Sequence, residues 1–138
     1  MALHVLIHLG DAESPITSEV LARRSDSHAV VLRRTMAGLR EAGIVRSEKG
    51  HGGGWTLARP LEQVTLRDVH AALGMTALFA FGNRTESPGC AVEQIVNETM
   101  GKAMGEAEAL LMKRLGELTL ADLARGVRST AKQRMKVR

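Results

Sequence analysis

The chain has 138 residues (14.9 kDa), of which 44% are hydrophobic and only 2% aromatic, and it carries a net charge of +4 with a pI near 9.8. That length suits one domain, or one domain with an appended element, and a core so poor in aromatics must be built from Leu, Val, Ala, Ile and Met, which favours helices. A single cysteine, Cys90, excludes an internal disulfide framework and an all-cysteine metal site within one chain.

No apolar run approaches the roughly 20 residues that span a bilayer. The opening MALHVLIHLG lacks the basic stretch and cleavage site of a secretory signal. No membrane partner is therefore expected, and the expected location is cytoplasmic. The charge is unevenly spread. Residues 17–51 carry seven Lys/Arg against four acids, and residues 125–138 carry six bases and no acid. Two basic regions around a mildly acidic body suit a protein that presents one face to a polyanion.

In chain order, residues 2–9 place Leu3, Leu6 and Leu9 on one helical face, with Val5 beside it. The pattern begins abruptly, as if a few helical residues preceded Met1. His4 and His8 are four apart and share a face that could grip a metal. With no third ligand placed by the sequence, a solvated face is the simpler reading. After a loop with Pro15, Thr17 is placed to cap a helix over 18–24, with Glu19 in its first turn and Val20, Leu21 and Ala22 facing inward. Ser25, Asp26 and Ser27 form a polar turn, and Ser27 is expected to cap the next helix.

That helix spans 28–42. Leu32, Met36 and Leu39 fall at i, i+4 and i+7 and should pack on the core. The opposite face carries Val30, Arg34, Ala37 and Glu41, flanked by Arg33 and His28. Gly43 ends the helix as a C′ glycine does. Residues 44–48 and 55–58 read as two strands around a glycine-rich tip, Lys49-Gly50-His51-Gly52-Gly53-Gly54. Thr65 and Asp68 have capping-box spacing for a helix over 66–73, closed by Gly74.

Residues 75–89 read as a connecting loop. From Cys90 to Leu115 the helical period returns in Val92, Val96, Met100, Ala103, Ala107, Leu110 and Leu111. Such a helix is about 40 Å long, too long for so small a body to cover, and its small and Met side chains suit a partner helix. Thr119 and Asp122 repeat the capping pattern for a short helix near 120–126, and a disordered basic tail should follow.

A short capped helix, a tight turn, a longer helix and a glycine-tipped hairpin make the pattern of a winged helix-turn-helix. The second helix of such a unit enters the major groove with its N-terminal residues on base edges. Here those are His28, Val30, Val31, Arg33 and Arg34. Arginine can hold guanine O6 and N7 together, and valine can touch a thymine methyl. Thr17 and Ser27 stand where helix N-termini offer N–H groups to phosphates. Arg46, Lys49, Gly50, His51 and Gly52 could reach the backbone or the minor groove from the wing. The plainer alternative is a solvated surface helix. Two enzyme readings of the glycine run fail: no Gly-Lys-Ser/Thr follows it as in a P-loop, and no G-x-S-x-G elbow accompanies it as in an esterase.

The stretch GIVRSEKGHGGGWTLARPLEQVTLRDVHAALG resembles the wing and following helix of the Rrf-two (Rrf2) family of bacterial transcription regulators. LARRSDSHAVVLRRTMAGLREAGIV resembles its helix-turn-helix, and PGCAVEQI with TLADL its dimerisation helix and end. The resemblance implies a homodimer that binds a palindromic operator on double-stranded DNA, usually as a repressor. Some members hold an iron–sulfur cluster with three cysteines in the loop and at the start of the long helix. This chain has only Cys90 there, so thiolate ligation fails for lack of ligands, and the chain is closer to members without clusters. Cys90 could then serve as a redox switch, through sulfenic acid or a bridge to another thiol, or be merely a small residue. Met75, Met100, Met104 and Met112 could line an effector pocket, or fill an interface.

The expected fold is mainly α with a small β wing. A winged helix-turn-helix DNA-binding domain spans 1–74, a connecting loop 75–89, a long dimerisation helix with a short terminal helix 90–127, and a basic tail 128–138. The expected function is DNA-binding regulation of transcription, with no catalytic residues, cofactor or metal. The alternative is a dimeric redox or ligand sensor that acts through a protein partner.

Overall fold

The computed structural model describes residues 1–74 and 89–136, apart from the side chains of 132 and 134–136. The expected connecting loop at 75–89 falls almost wholly outside these residues. The elements in order are α1 (Ala2–Gly10), α2 (Ser18–Arg24), α3 (Ala29–Glu41), β1 (Val45–Glu48), β2 (Gly54–Leu57), a 3-10 turn (Leu61–Gln63), α4 (Leu66–Ala72), α5 (Ala91–Glu117) and α6 (Leu120–Lys136).

Helix α1 turns Val5, Leu6 and Leu9 into the core, α2 adds Leu21 and Ala22, and α3 adds Leu32, Met36 and Leu39, all three fully buried. Each buried Val, Leu or Met side chain among these contributes on the order of 1.5–3 kcal/mol. Ile44, Val45, Val64 and Leu120 close the cluster. Leu3, expected on the same face as Leu6 and Leu9, is exposed instead. At 100° per residue it lies away from the Val5–Leu9 side, and Ala2 takes the buried position there.

Strands β1 and β2 pair antiparallel, with Arg46 opposite Thr56 and Ser47 opposite Trp55. A third segment joins them. Ile16 bridges Trp55, its N–H donating to the Trp55 carbonyl at 3.1 Å and its carbonyl accepting from the Trp55 N–H at 2.8 Å. The capping box of α4 forms as expected: the Asp68 N–H donates to Thr65 Oγ1 at 3.1 Å, and the Thr65 N–H to Asp68 Oδ2 at 3.0 Å. Thr119 and Asp122 make the same reciprocal pair at the start of α6. The two boxes stand side by side, because Thr65 and Thr119 bridge antiparallel and the Leu66 N–H donates to the Leu118 carbonyl at 2.9 Å.

That joint fastens one end of α5 to the body. Along its 27 residues α5 has no buried side chain, and Val92 is 70% and Leu110 61% exposed. Gly116, near the joint, receives the flat Arg67 guanidinium of α4. Helix α6 corrects one expectation. It does not stop near 126 but continues to Lys136, so the basic segment is helical through that residue. From 127 onward it contains no proline and no glycine, and its Ala, Lys, Gln, Arg and Met residues are good helix formers. Bases in a last turn also favour the helix dipole. Arg128 on this helix pairs with Asp11 at the end of α1.

Candidate nucleic-acid interface

The helix-turn-helix is built by local chemistry. Thr17 caps α2, its Oγ1 accepting from the Val20 N–H at 3.4 Å. Glu19 in the first turn has its carboxyl held below the ordinary range by its own backbone N–H and then by the Thr17 hydroxyl, with Arg33 and Arg23 adding smaller effects. In the turn, the Ser25 hydroxyl donates to the Leu21 carbonyl at 2.8 Å. Asp26 takes a left-handed conformation (φ 47°), which Asp tolerates better than most residues.

Ser27 does not cap α3. His28 holds the N-cap position without a side-chain cap bond, and the Ser27 hydroxyl donates to Met1 Sδ at 2.8 Å. The helix begins one residue later than the sequence suggested. Its first backbone N–H groups therefore lack a capping side chain, and such groups suit phosphate oxygens.

On the outward face of α3, Val30 is 74% and Val31 50% exposed, beside exposed Arg33 and Arg34. The fully buried stripe Leu32–Met36–Leu39 fixes which face this is. Small and basic side chains with no bulky aromatic allow close approach to a groove.

The wing tip turns through Gly50 (φ 99°) and Gly52 (φ 80°), with the Gly53 N–H donating to the Gly50 carbonyl at 3.0 Å. The next two glycines are fixed by space. A Cβ on Gly53 would lie 2.4 Å from the Glu48 carbonyl oxygen, and one on Gly54 2.7 Å from the Ile16 backbone. Lys49, Gly50, His51 and Gly52 are all exposed. Arg46 is less free than the sequence suggested. Its Nε donates to Thr56 Oγ1 at 3.1 Å and stands 3.6 Å from Glu48 Oε1.

Sequence reasoning missed the residues that fix the wing to the helices. Trp55 Nε1 donates to Ser18 Oγ at 2.9 Å, and Ile16 adds the bridge. A lone tryptophan directly after the glycines was the available signal; its partner could not be read without the fold. Cys90 is not brought to this face. It is the exposed N-cap residue of α5, at the opposite end of that helix from Gly116. The Val92–Leu111 stripe lies along α5 and apart from the core, with Val96 51% exposed.

Residues 1–126 match the model of the Rrf2 family, described as "Iron-dependent Transcriptional regulator". The chain is 30% identical over 125 residues to protein rrf2 of Nitratidesulfovibrio vulgaris, covering 91% of this chain and 80% of that protein. It is 35% identical over 74 residues to YwgB of Bacillus subtilis, which carries the provisional name of an HTH-type transcriptional regulator; that match covers 52% of this chain and about half (47%) of the relative. Among solved structures it is similar to T. potens IscR, with 25% identity, a TM-score of 0.61, and 91% of this chain and 82% of that one covered.

The family's description names iron, and the donor set here does not fit a thiolate-held iron centre. The sequence has one cysteine, and among the described residues no three His, Cys, Asp or Glu side chains converge as metal ligands. Nor, among those residues, is any helix long and apolar enough to cross a membrane.

Proposed function

The chain belongs to the Rrf2 family of transcriptional regulators, and from that premise we propose that it is a homodimeric repressor of a palindromic operator. Residues 1–74 are the DNA-binding unit in this reading, 75–89 the connection, and α5 the dimerisation helix. His28, Val30, Val31, Arg33 and Arg34 enter the major groove. Thr17, Ser27, Arg46, Lys49, Gly50, His51 and Gly52 meet phosphates or the adjacent minor groove. The observation that carries the reading is the pair of uncovered valines beside two arginines at the start of α3. Exposed β-branched residues gain little from water, and they suit thymine methyls.

Dimerisation rests on Val92, Val96, Met100, Ala103, Ala107, Leu110 and Leu111, since an apolar stripe of this length without a partner is unusual in a monomer. Two recognition helices related by the dimer axis would meet half-sites about 34 Å apart, or a multiple of that. Cys90 is the group through which an oxidant would act.

The test is a fluorescence-anisotropy titration of reduced protein against the DNA upstream of its own gene, with scrambled competitor at physiological salt. Binding should resist the competitor. Arg34→Ala should narrow the gap between operator and scrambled DNA, while Lys49→Ala should weaken both alike and lower the salt slope by about one. If both variants bind as wild type does, the assigned face is wrong. Peroxide treatment of wild type and Cys90→Ser asks whether the thiol governs binding. Absence of DNA binding at low salt would favour the sensor that works through a protein partner.

A further inference from the structure

We infer that His4 and His8 on α1 form a two-ligand site for a divalent first-row transition ion of the copper, nickel or zinc type. Their Nε2 atoms stand 2.8 Å apart, and the ring centroids are 4.6 Å apart with the planes tilted by 39°. At this separation one ring donates its Nε2 proton to the other. An ion replaces that proton, which passes to the Nδ1 position of its own ring, leaving a lone pair on each of the two neighbouring Nε2 atoms for the ion.

With metal–nitrogen bonds of about 2.1 Å, neighbouring nitrogens lie roughly 3.0–3.4 Å apart. The rings need part by only a few tenths of an ångström. The backbone beneath them is fixed, because Val5, Leu6 and Leu9 anchor the same helix in the core. His4 is exposed and His8 half-buried, so an ion reaches both and water completes its shell.

Charge near the site is mixed and leans positive, since Arg24 outweighs Asp11, which also pairs with Arg128. Arg24 opposes a cation at His8, and Asp11 favours one. Imidazole donors follow the order in which copper(II) leads and iron(II) binds weakly. The site therefore differs from any iron centre. Met1, less than one turn before His4, touches Ser27 in the turn that precedes α3. The ion would sit where α1, the end of α2 and that turn meet.

The test uses the whole protein and no DNA, so it stands apart from the regulator reading. Calorimetric titration with nickel(II) in a non-chelating buffer should give one ion per protomer. His4→Gln and His8→Gln should each weaken binding at least tenfold with unchanged circular dichroism, whereas His51→Gln should leave nickel affinity as it was. Electron paramagnetic resonance with copper(II) should show two equatorial imidazole nitrogens in wild type and one in either variant. Wild-type affinity in either glutamine variant, or a copper signal without a second imidazole, would overturn the assignment.

Discussion

Alanine at position 38 sets two effects of opposite sign against each other. Glycine inside a helix costs about 0.8–1.0 kcal/mol relative to alanine, so propensity alone forecasts a more stable protein. A Cβ on Gly38 would, however, lie 2.4 Å from the carbonyl oxygen of Ala72, about 1 Å inside an ordinary carbon–oxygen contact. The obstructing atom is backbone at the end of α4, so relief requires α4 to move against α3. Overpacking of this kind costs about 1–3 kcal/mol, and set against the propensity gain it leaves a net loss of up to about 2 kcal/mol.

Gly126 in α6 has nothing within 4 Å of its Cβ position, and Gly126→Ala should keep the gain of about 1 kcal/mol. For a chain of this size 1 kcal/mol moves the melting temperature by roughly 3–5 °C. Thermal unfolding followed by circular dichroism, at one protomer concentration, should therefore show the two substitutions moving Tm in opposite directions. A Gly38→Ala protein that melts at or above wild type would refute the close approach of α3 and α4.

Two further outcomes follow from the caps and from α5. The Asp68 and Asp122 carboxyls are held below the ordinary range, chiefly by the backbone N–H groups of Thr65 and Thr119, with the threonine hydroxyls and nearby arginines assisting. A carboxyl whose folded pKa is depressed contributes stability that is complete above its unfolded value of about 3.9 and is lost as pH falls through the folded one. The contribution of these two carboxyls should hold steady from pH 7 to 5 and be lost below about pH 4. Asp68→Asn with Asp122→Asn should flatten that acid limb, an unchanged slope would refute the assignment, and Thr65→Ala should cost about 1 kcal/mol at neutral pH. Val96→Asp and Leu110→Asp place charge on side chains that are 51% and 61% exposed in the single chain. In sedimentation they should convert a dimer to a folded monomer, and a wild type that sediments as a monomer would remove α5 as the interface.

What was legible in the sequence is what depends on nearby residues. Threonine caps at 17, 65 and 119 rest on contacts three residues apart, and all three form. The Leu32–Met36–Leu39 stripe and the glycine-tipped hairpin likewise follow from periods of 3.6 and 2. The failures have separate causes. Leu3 was misplaced because a nine-residue helix samples too few turns to fix its inward direction from composition alone. Ser27 looked like a cap, but a contact with Met1, 26 positions away, engages its hydroxyl. The extent of α6 is not legible from charge, because a run of bases suits a loose tail and a helix alike, and Lys and Arg are good helix formers. The tie from Trp55 to Ser18 and Ile16 spans nearly forty positions, and no local pattern encodes it.

That tie also bears on how the helices and the hairpin come apart. Because Ile16 and Trp55 exchange both backbone hydrogen bonds, the chain between them is a closed circuit holding α2, α3 and the hairpin. Neither the wing nor the start of α2 can fray without breaking the seam that holds the other. Local opening should then be shared across the circuit: amide protons of Ile16 and Trp55 would exchange with solvent at a common rate. A wing that stays folded is one that keeps the first helix of the pair in register.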